Sequence, residues 1–226
     1  MTKRAGLGVA LLLLVGVISA RADSISIFNT GVDNNGVLLP DGSVDPHYTV
    51  APPGSSLSGT AYVVLQTAYP LGGGPWVPDG PNSKWIDPFS ATPGASIPAG
   101  LYTYTTTFDL TGLIPGTAVL TGQWMTDNNG VEIILNASVF SITTPFTSFQ
   151  GPFSPFTITS GFLSGVNTLQ FVVNEDGAWT GFRGELSGTA TPVPEPGSLA
   201  LLATGLVFVG SRLRRRRAAR SGVRFD

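Results

Sequence analysis

The chain has 226 residues, 42% of them hydrophobic, with 29 Gly, 18 Pro, no Cys and a formal net charge of −2. That length suffices for one domain with a buried core, while the lack of cysteine excludes disulfide staples, thiol nucleophiles and cysteine-ligated metal sites. The charge is unevenly placed: residues 23–191 hold twelve acids against Lys84 and Arg183, a net charge near −10, and seven arginines lie in the last fifteen residues. Such an acidic body repels polyphosphate and argues against nucleic acid as a partner.

Residues 1–22 read as a secretory signal peptide. Lys3 and Arg4 supply a basic start, residues 7–18 form an apolar run, and Ala20-Arg21-Ala22 places small residues where a signal peptidase needs them. The secretion machinery is therefore expected to cut after Ala22.

Residues 23–190 read as an all-β ectodomain. In residues 102–108 the alternation places Tyr102, Tyr104, Thr106 and Phe108 on one face, as a half-buried strand requires. Residues 118–124 and 169–173 alternate in the same way, and further strands are expected at 24–28, 60–67, 131–135, 137–143, 155–159 and 179–187. Gly, Pro and Asn clusters separate them. About nine or ten short strands over this length imply a two-sheet sandwich or jelly roll. Asn129-Gly130 lies between two strand patterns, and both residues tolerate positive φ, so a type I′ hairpin turn is expected there.

Catalytic patterns are missing. The chain has no Gly-x-Ser-x-Gly elbow, no His-Glu-x-x-His, no P-loop and no Ser-x-x-Lys, and its one histidine, His47, reads as a structural hydrogen-bonder beside Asp45. The protein is not expected to be an enzyme. Glycoside hydrolysis needs only two carboxylates at a set separation, so a secreted glycan-active hydrolase is kept as a minor alternative. Sugar binding needs an exposed aromatic face and a few polar partners. The candidates are Trp76 and Trp85 in the Gly/Pro-rich stretch "PLGGGPWVPDGPNSKWIDP", with Asp127, Asn128 and Arg183. Calcium is the one cofactor considered: Asp33 and Asn35, and Asp127 and Asn129, sit in two Asp-Asn-Asn-Gly segments rich in oxygen donors, without EF-hand spacing.

The C-terminal region changes character. A Pro-rich linker (191–197) carries Pro194, Glu195 and Pro196, a charge-free apolar stretch begins at Ser198, and a tail (212–226) holds Arg212, Arg214, Arg215, Arg216 and Arg217. As a helix, 198–211 covers about 20 Å at ~1.5 Å per residue, short of the ~30 Å hydrocarbon core but able to span a thinned bilayer. The clustered arginines stop transfer and stay cytoplasmic, which leaves the body outside the inner membrane.

Pro-Glu-Pro, a short apolar helix and a terminal arginine cluster, in that order, resemble the PEP-CTERM sorting signal of Gram-negative bacteria. The resemblance implies processing by an exosortase-like enzyme and an association with extracellular polysaccharide and biofilm. The body adds a second resemblance through "TDNNGVEIILNASVF", "FSPFTITSGFLSGVNTLQFVVNEDG" and "GFRGELSGTA". These segments are similar to an ectodomain type that recurs in PEP-CTERM proteins, itself similar to galactose-binding-like jelly rolls. The function implied is a surface or exopolysaccharide-associated protein, transiently anchored and then released to the cell surface or matrix. It would be either a glycan-binding module or a structural matrix protein without a specific ligand.

Overall fold

The computed structural model describes residues 22–89, 97–194, 197 and 204–212. Most of the signal run, Glu195, Pro196, Arg214, Arg215, Arg216 and Arg217 lie outside the described residues, whereas Ala22, Pro194 and Arg212 are exposed within them. The body is all-β. Its strands are β1 (Asp23–Ser24), β2 (Val44–Ala51), β3 (Gly59–Val63), β4 (Ile86–Asp87), β5 (Gly100–Asp109), β6 (Val119–Asp127), β7 (Asn129–Leu135), β8 (Ser138–Phe140), β9 (Ser154–Ile158), β10 (Val166–Glu175) and β11 (Gly181–Ala190). A short helix occupies 204–212. Among the described residues no helix is long and apolar enough to cross a membrane.

Strands with clean alternation form as expected. On β5, Tyr102, Tyr104, Thr106 and Phe108 are all buried. The ladder is antiparallel and runs in one path, β8-β7-β10-β5-β2-β3-β4-β11-β6-β9, with β1 added beside β11. One continuous curled sheet thus stands where two separate sheets are expected. Its two halves face each other across a shared core. Phe171 of β10 meets Phe182 of β11 at 4.6 Å and Trp124 of β6 at 5.5 Å between ring centroids, while Phe182 also meets Tyr104 and Tyr48. Offset aromatic contacts of this kind add to the burial of large apolar area.

The expected hairpin at Asn129-Gly130 is a correction. β6 pairs with β11 and β9, and β7 pairs with β10 and β8, so the two strands that flank this site belong to opposite halves of the curl. The chain crosses the core there, and a Cβ at Gly130 would overlap the Trp124 ring. The two-residue hairpin with both φ positive lies at Asn136-Ala137, between β7 and β8, where Leu135 pairs with Ser138. Asn136 then ties this turn to β10. Its side chain donates to Gly161 O at 3.0 Å and to Asn167 Oδ1 at 2.6 Å, and it accepts from Thr168 N at 2.9 Å. Fully buried Asn167 also accepts from Leu163 N and donates to Leu163 O and Gly165 O. These are the asparagines of the "ILN" and "GVNTL" segments, and they act as internal fasteners.

β11 ends at a stitched exit. Ile114 N donates to Thr191 O, Thr191 N to Thr117 Oγ1, and Val193 N to Gly112 O, each at 2.8 Å. Leu113 and Pro192 form a β-bridge. Beyond Val193 no described backbone hydrogen bond returns the chain to the body.

Candidate functional site

The long connection between β3 and β4, residues 64–85, lies against β6 and β11 away from the main core. Beneath it Val64, Leu71, Trp76, Trp85 and Met125 form a second, smaller apolar cluster, with Val77, Phe149, Phe153 and Trp179 packed against it. The Gly/Pro composition suits this path: Tyr69-Pro70 is a cis peptide, Gly73 has φ +72°, and Gly72 and Gly74 abut backbone atoms of Thr67 and Pro70.

This arrangement corrects the exposed-platform expectation. Trp76 is 3% exposed and Trp85 is fully buried, with centroids 4.5 Å apart and planes tilted by 33°. Trp76 lies on the backbone at Gly181, where a Cβ would overlap its ring. Trp76 Nε1 donates to Asp127 Oδ2 at 2.6 Å, and Trp85 Nε1 donates to Val77 O at 3.0 Å. Neither ring offers a face to a sugar.

The polar candidates gather at the same connection, already partnered. Asn128 Nδ2 donates to Asp127 Oδ1 at 2.9 Å, and Asn128 Oδ1 accepts from Asp176 N at 3.0 Å. Arg183, 4% exposed, donates from Nε to Ser83 Oγ and from Nη1 to Pro78 O, both at 2.8 Å. Its Nη2 lies 3.9 Å from Glu185 Oε1, and its guanidinium sits 4.9 Å above the Phe153 ring. Glu185 is held further by Ser83 Oγ at 2.9 Å and Gln123 Nε2 at 2.8 Å. Trp76, Trp85, Asp127, Asn128 and Arg183 are therefore brought together, as parts of one inward-facing lock.

The calcium candidates are taken up in local hydrogen bonds, Asp33 and Asn35 in a surface turn. Asp33 Oδ1 accepts from Asn35 N at 2.8 Å and Val37 N at 2.9 Å, which holds its carboxyl below the ordinary carboxylate value, and Asn129 Oδ1 accepts from Asn174 Nδ2 at 3.4 Å. Among the described residues no group of three or more His, Asp or Glu side chains is placed to hold a metal ion. His47 stacks flat on Phe28 at 3.6 Å, and its backbone N–H, not its ring, reaches Asp45.

Burial sets the ionisation of the acids. Asp127 is pushed up to about 7 by burial, against the pull of the Trp76 N–H, and Asp87 is pushed up to about 7 by burial, opposed by the Phe89 N–H. A raised carboxyl pKa means that the folded state holds the proton where the unfolded chain has released it. That contribution to stability is complete below the unfolded value, about 4, and is lost as pH rises through about 7. The melting temperature of the body is thus expected to fall between pH 5 and pH 8, and Asp127→Asn should flatten part of the fall. A thermal melt series that rises with pH over this range would contradict the assignment.

Two polar residues of the site were not legible in the sequence. Ser83 and Asp79 carry the lock: Ser83 bridges Arg183 and Glu185, and Asp79 Oδ1 accepts from Trp85 N at 2.9 Å. The available signal was "PDGPNSKW", a polar turn immediately before a tryptophan. Also missed is an aromatic pair at the rim, where Tyr69, 47% exposed, meets half-buried Trp179 edge-on at 4.7 Å.

Comparison with known proteins bears on the end of the chain. Residues 192–217 match the PEP-CTERM protein-sorting motif. The chain carries a PEP-CTERM sorting signal. The match begins at the residue that forms the last bridge to the body, and the motif implies an exported protein anchored through its C-terminal signal and handled by exosortase-like machinery. No curated protein matches the chain. Among solved structures, the crystal structure of a Stig cyclase, Fisc, from Fischerella sp. TAU in complex with (3Z)-3-(1-methyl-2-pyrrolidinylidene)-3H-indole is similar, at 14% identity and a TM-score of 0.40, over 77% of this chain and 100% of that one. A likeness that distant carries no argument about activity.

Proposed function

We propose that this PEP-CTERM protein is a non-enzymatic surface or exopolysaccharide-associated protein: a curled all-β ectodomain of residues 23–190 delivered beyond the inner membrane and sorted by its tail. One observation carries the reading. The sorting motif takes over where the fold stops, with Val193 the last residue stitched to the body and Pro194 exposed immediately after it. Exposed Pro194 opens the motif to a processing enzyme, and we place 198–211 as a short membrane segment with the arginines on its cytoplasmic side. Replacing Arg214, Arg215, Arg216 and Arg217 by Ser is expected to reduce membrane retention of the unprocessed chain in cell fractions. Unchanged retention would count against the tail's role.

The structural-matrix form of this proposal has the better support, because the residues first suited to glycan contact are occupied in the lock. Glycan binding retains one specific observation, the exposed Tyr69 beside Trp179. A glycan array on the exported protein separates the two. A hit that Tyr69→Ala abolishes favours binding, and no hit favours the matrix role. The hydrolase alternative loses support because Asp127 and Glu175, two carboxyls that feel each other's charge, are 6% and 1% exposed.

A further inference from the structure

The body has one lysine, and it is placed against a carboxylate. Lys84 Nζ lies 2.6 Å from Asp41 Oδ1, with the lysine side chain 14% exposed and the aspartate 31%. The main chain fixes both partners. Lys84 N donates to Thr30 O at 3.0 Å and Lys84 O accepts from Thr30 Oγ1 at 2.6 Å. Asp41 Oδ2 accepts from Gln66 N at 2.9 Å. A third acid, Asp79, lies within electrostatic reach of the pair. Asp79 has one oxygen on Trp85 N and the other buried without a hydrogen-bond partner. Lys84 favours its charged form and Asp41 disfavours it, while burial raises its proton affinity above the ordinary value.

An amine held against one carboxyl oxygen, a backbone N–H on the second and a buried acid within electrostatic reach are the parts needed to make an amide. We propose that Lys84 and Asp41 form an intramolecular isopeptide bond, with Asp79 as the positioning acid that moves the protons. The ion pair first returns a proton from the ammonium, through Asp79, to the Asp41 carboxyl. The free Lys84 Nζ then attacks Asp41 Cγ, forming the C–N bond, and the Gln66 N–H holds the oxygen that becomes negative. Oδ1, which already carries the proton delivered in the first step, takes one more from the attacking nitrogen and leaves as water. Ammonium and carboxylate become amide and one water, with no oxidant, reductant or further reactant. The bond would close residues 41–84 into a covalent ring, tying the approach to β2 to the approach to β4. For an exported chain with no cysteine, this is a staple indifferent to redox conditions.

The sequence makes the test sharp. Between Arg21 and Arg183 the one tryptic site is Lys84, and trypsin does not cut at an amidated lysine. The mature protein, purified from its exporting host, unfolded and digested, is expected to stay joined across Lys84, with an intact mass one water below the sequence mass. Fragment spectra should show a branch between the peptide segments holding Asp41 and Lys84. Lys84→Arg, which keeps the charge, and Asp41→Asn and Asp79→Asn are read alongside. Lys84→Arg should restore the lost water, and Asp79→Asn should slow or abolish its loss while the fold, read by circular dichroism, persists. A cyclic imide at Asp41-Gly42 also loses one water, but it is cut by hydroxylamine and leaves Lys84 open to trypsin. Full sequence mass with cleavage at Lys84, or a hydroxylamine-sensitive product, would overturn the proposal.

Discussion

Trp76→Ala is expected to destabilise the body by about 3–5 kcal/mol, the cost of truncating a buried large aromatic side chain. The substitution empties the space over Gly181, removes the partner of Trp85 and deprives buried Asp127 of the Nε1 donor. An acid left buried without its donor adds its own penalty. Native domains are stable by roughly 5–15 kcal/mol, so the variant should unfold at a much lower urea concentration, with a similar dependence on denaturant. Trp76→Phe should recover most of the packing but not the hydrogen bond. A Trp76→Ala protein as stable as the parent would mean that the ring is not held in this cluster.

Arg183→Ala is expected to cost a similar amount, about 3–5 kcal/mol, as when one member of a buried ion pair is removed. The guanidinium serves Ser83, Pro78 O and Glu185 at once and caps the Phe153 ring. It sits where Gly80 has no side chain, since a Cβ there would overlap it. Arg183→Lys keeps the charge but cannot reproduce a planar fork of donors, so it should lose much of the same stability. Changing Glu185 as well should cost less than the sum of the two single changes, because the pair acts as a unit. Additive losses in urea melts would show that Arg183 and Glu185 are independent.

What could be read from the sequence follows from which signals are local. The sorting signal is a linear pattern of turn, apolar run and charge, so Pro194, Glu195, Pro196 and the arginines were legible without any fold. β5, β6 and β10 were legible because half-buried strands alternate. β2 was not. Pro46 and the buried Asp45 break its alternation, and its pairing with β3 slips between Val44 and Thr49, with Asp45 accepting from Gly31 N and His47 N instead. The hairpin was misplaced because Asn129-Gly130 has the residue types that favour positive φ, whereas the turn forms at Asn136-Ala137, where alanine takes φ +69° against its own preference and only long-range pairing of β7 and β8 reveals it. The burial of Trp76 was hidden for a related reason. A Gly/Pro-rich loop reads as exposed, yet here its glycines let the backbone lie close enough to β11 to cover a second core.

Export and sorting both depend on the two addresses at the ends of the chain. The direct test is to fractionate the producing cells and sequence the N-terminus of the mature protein. The account predicts a chain that begins at Asp23 and lies outside the inner membrane. A cytosolic product that still carries residues 1–22 would contradict it.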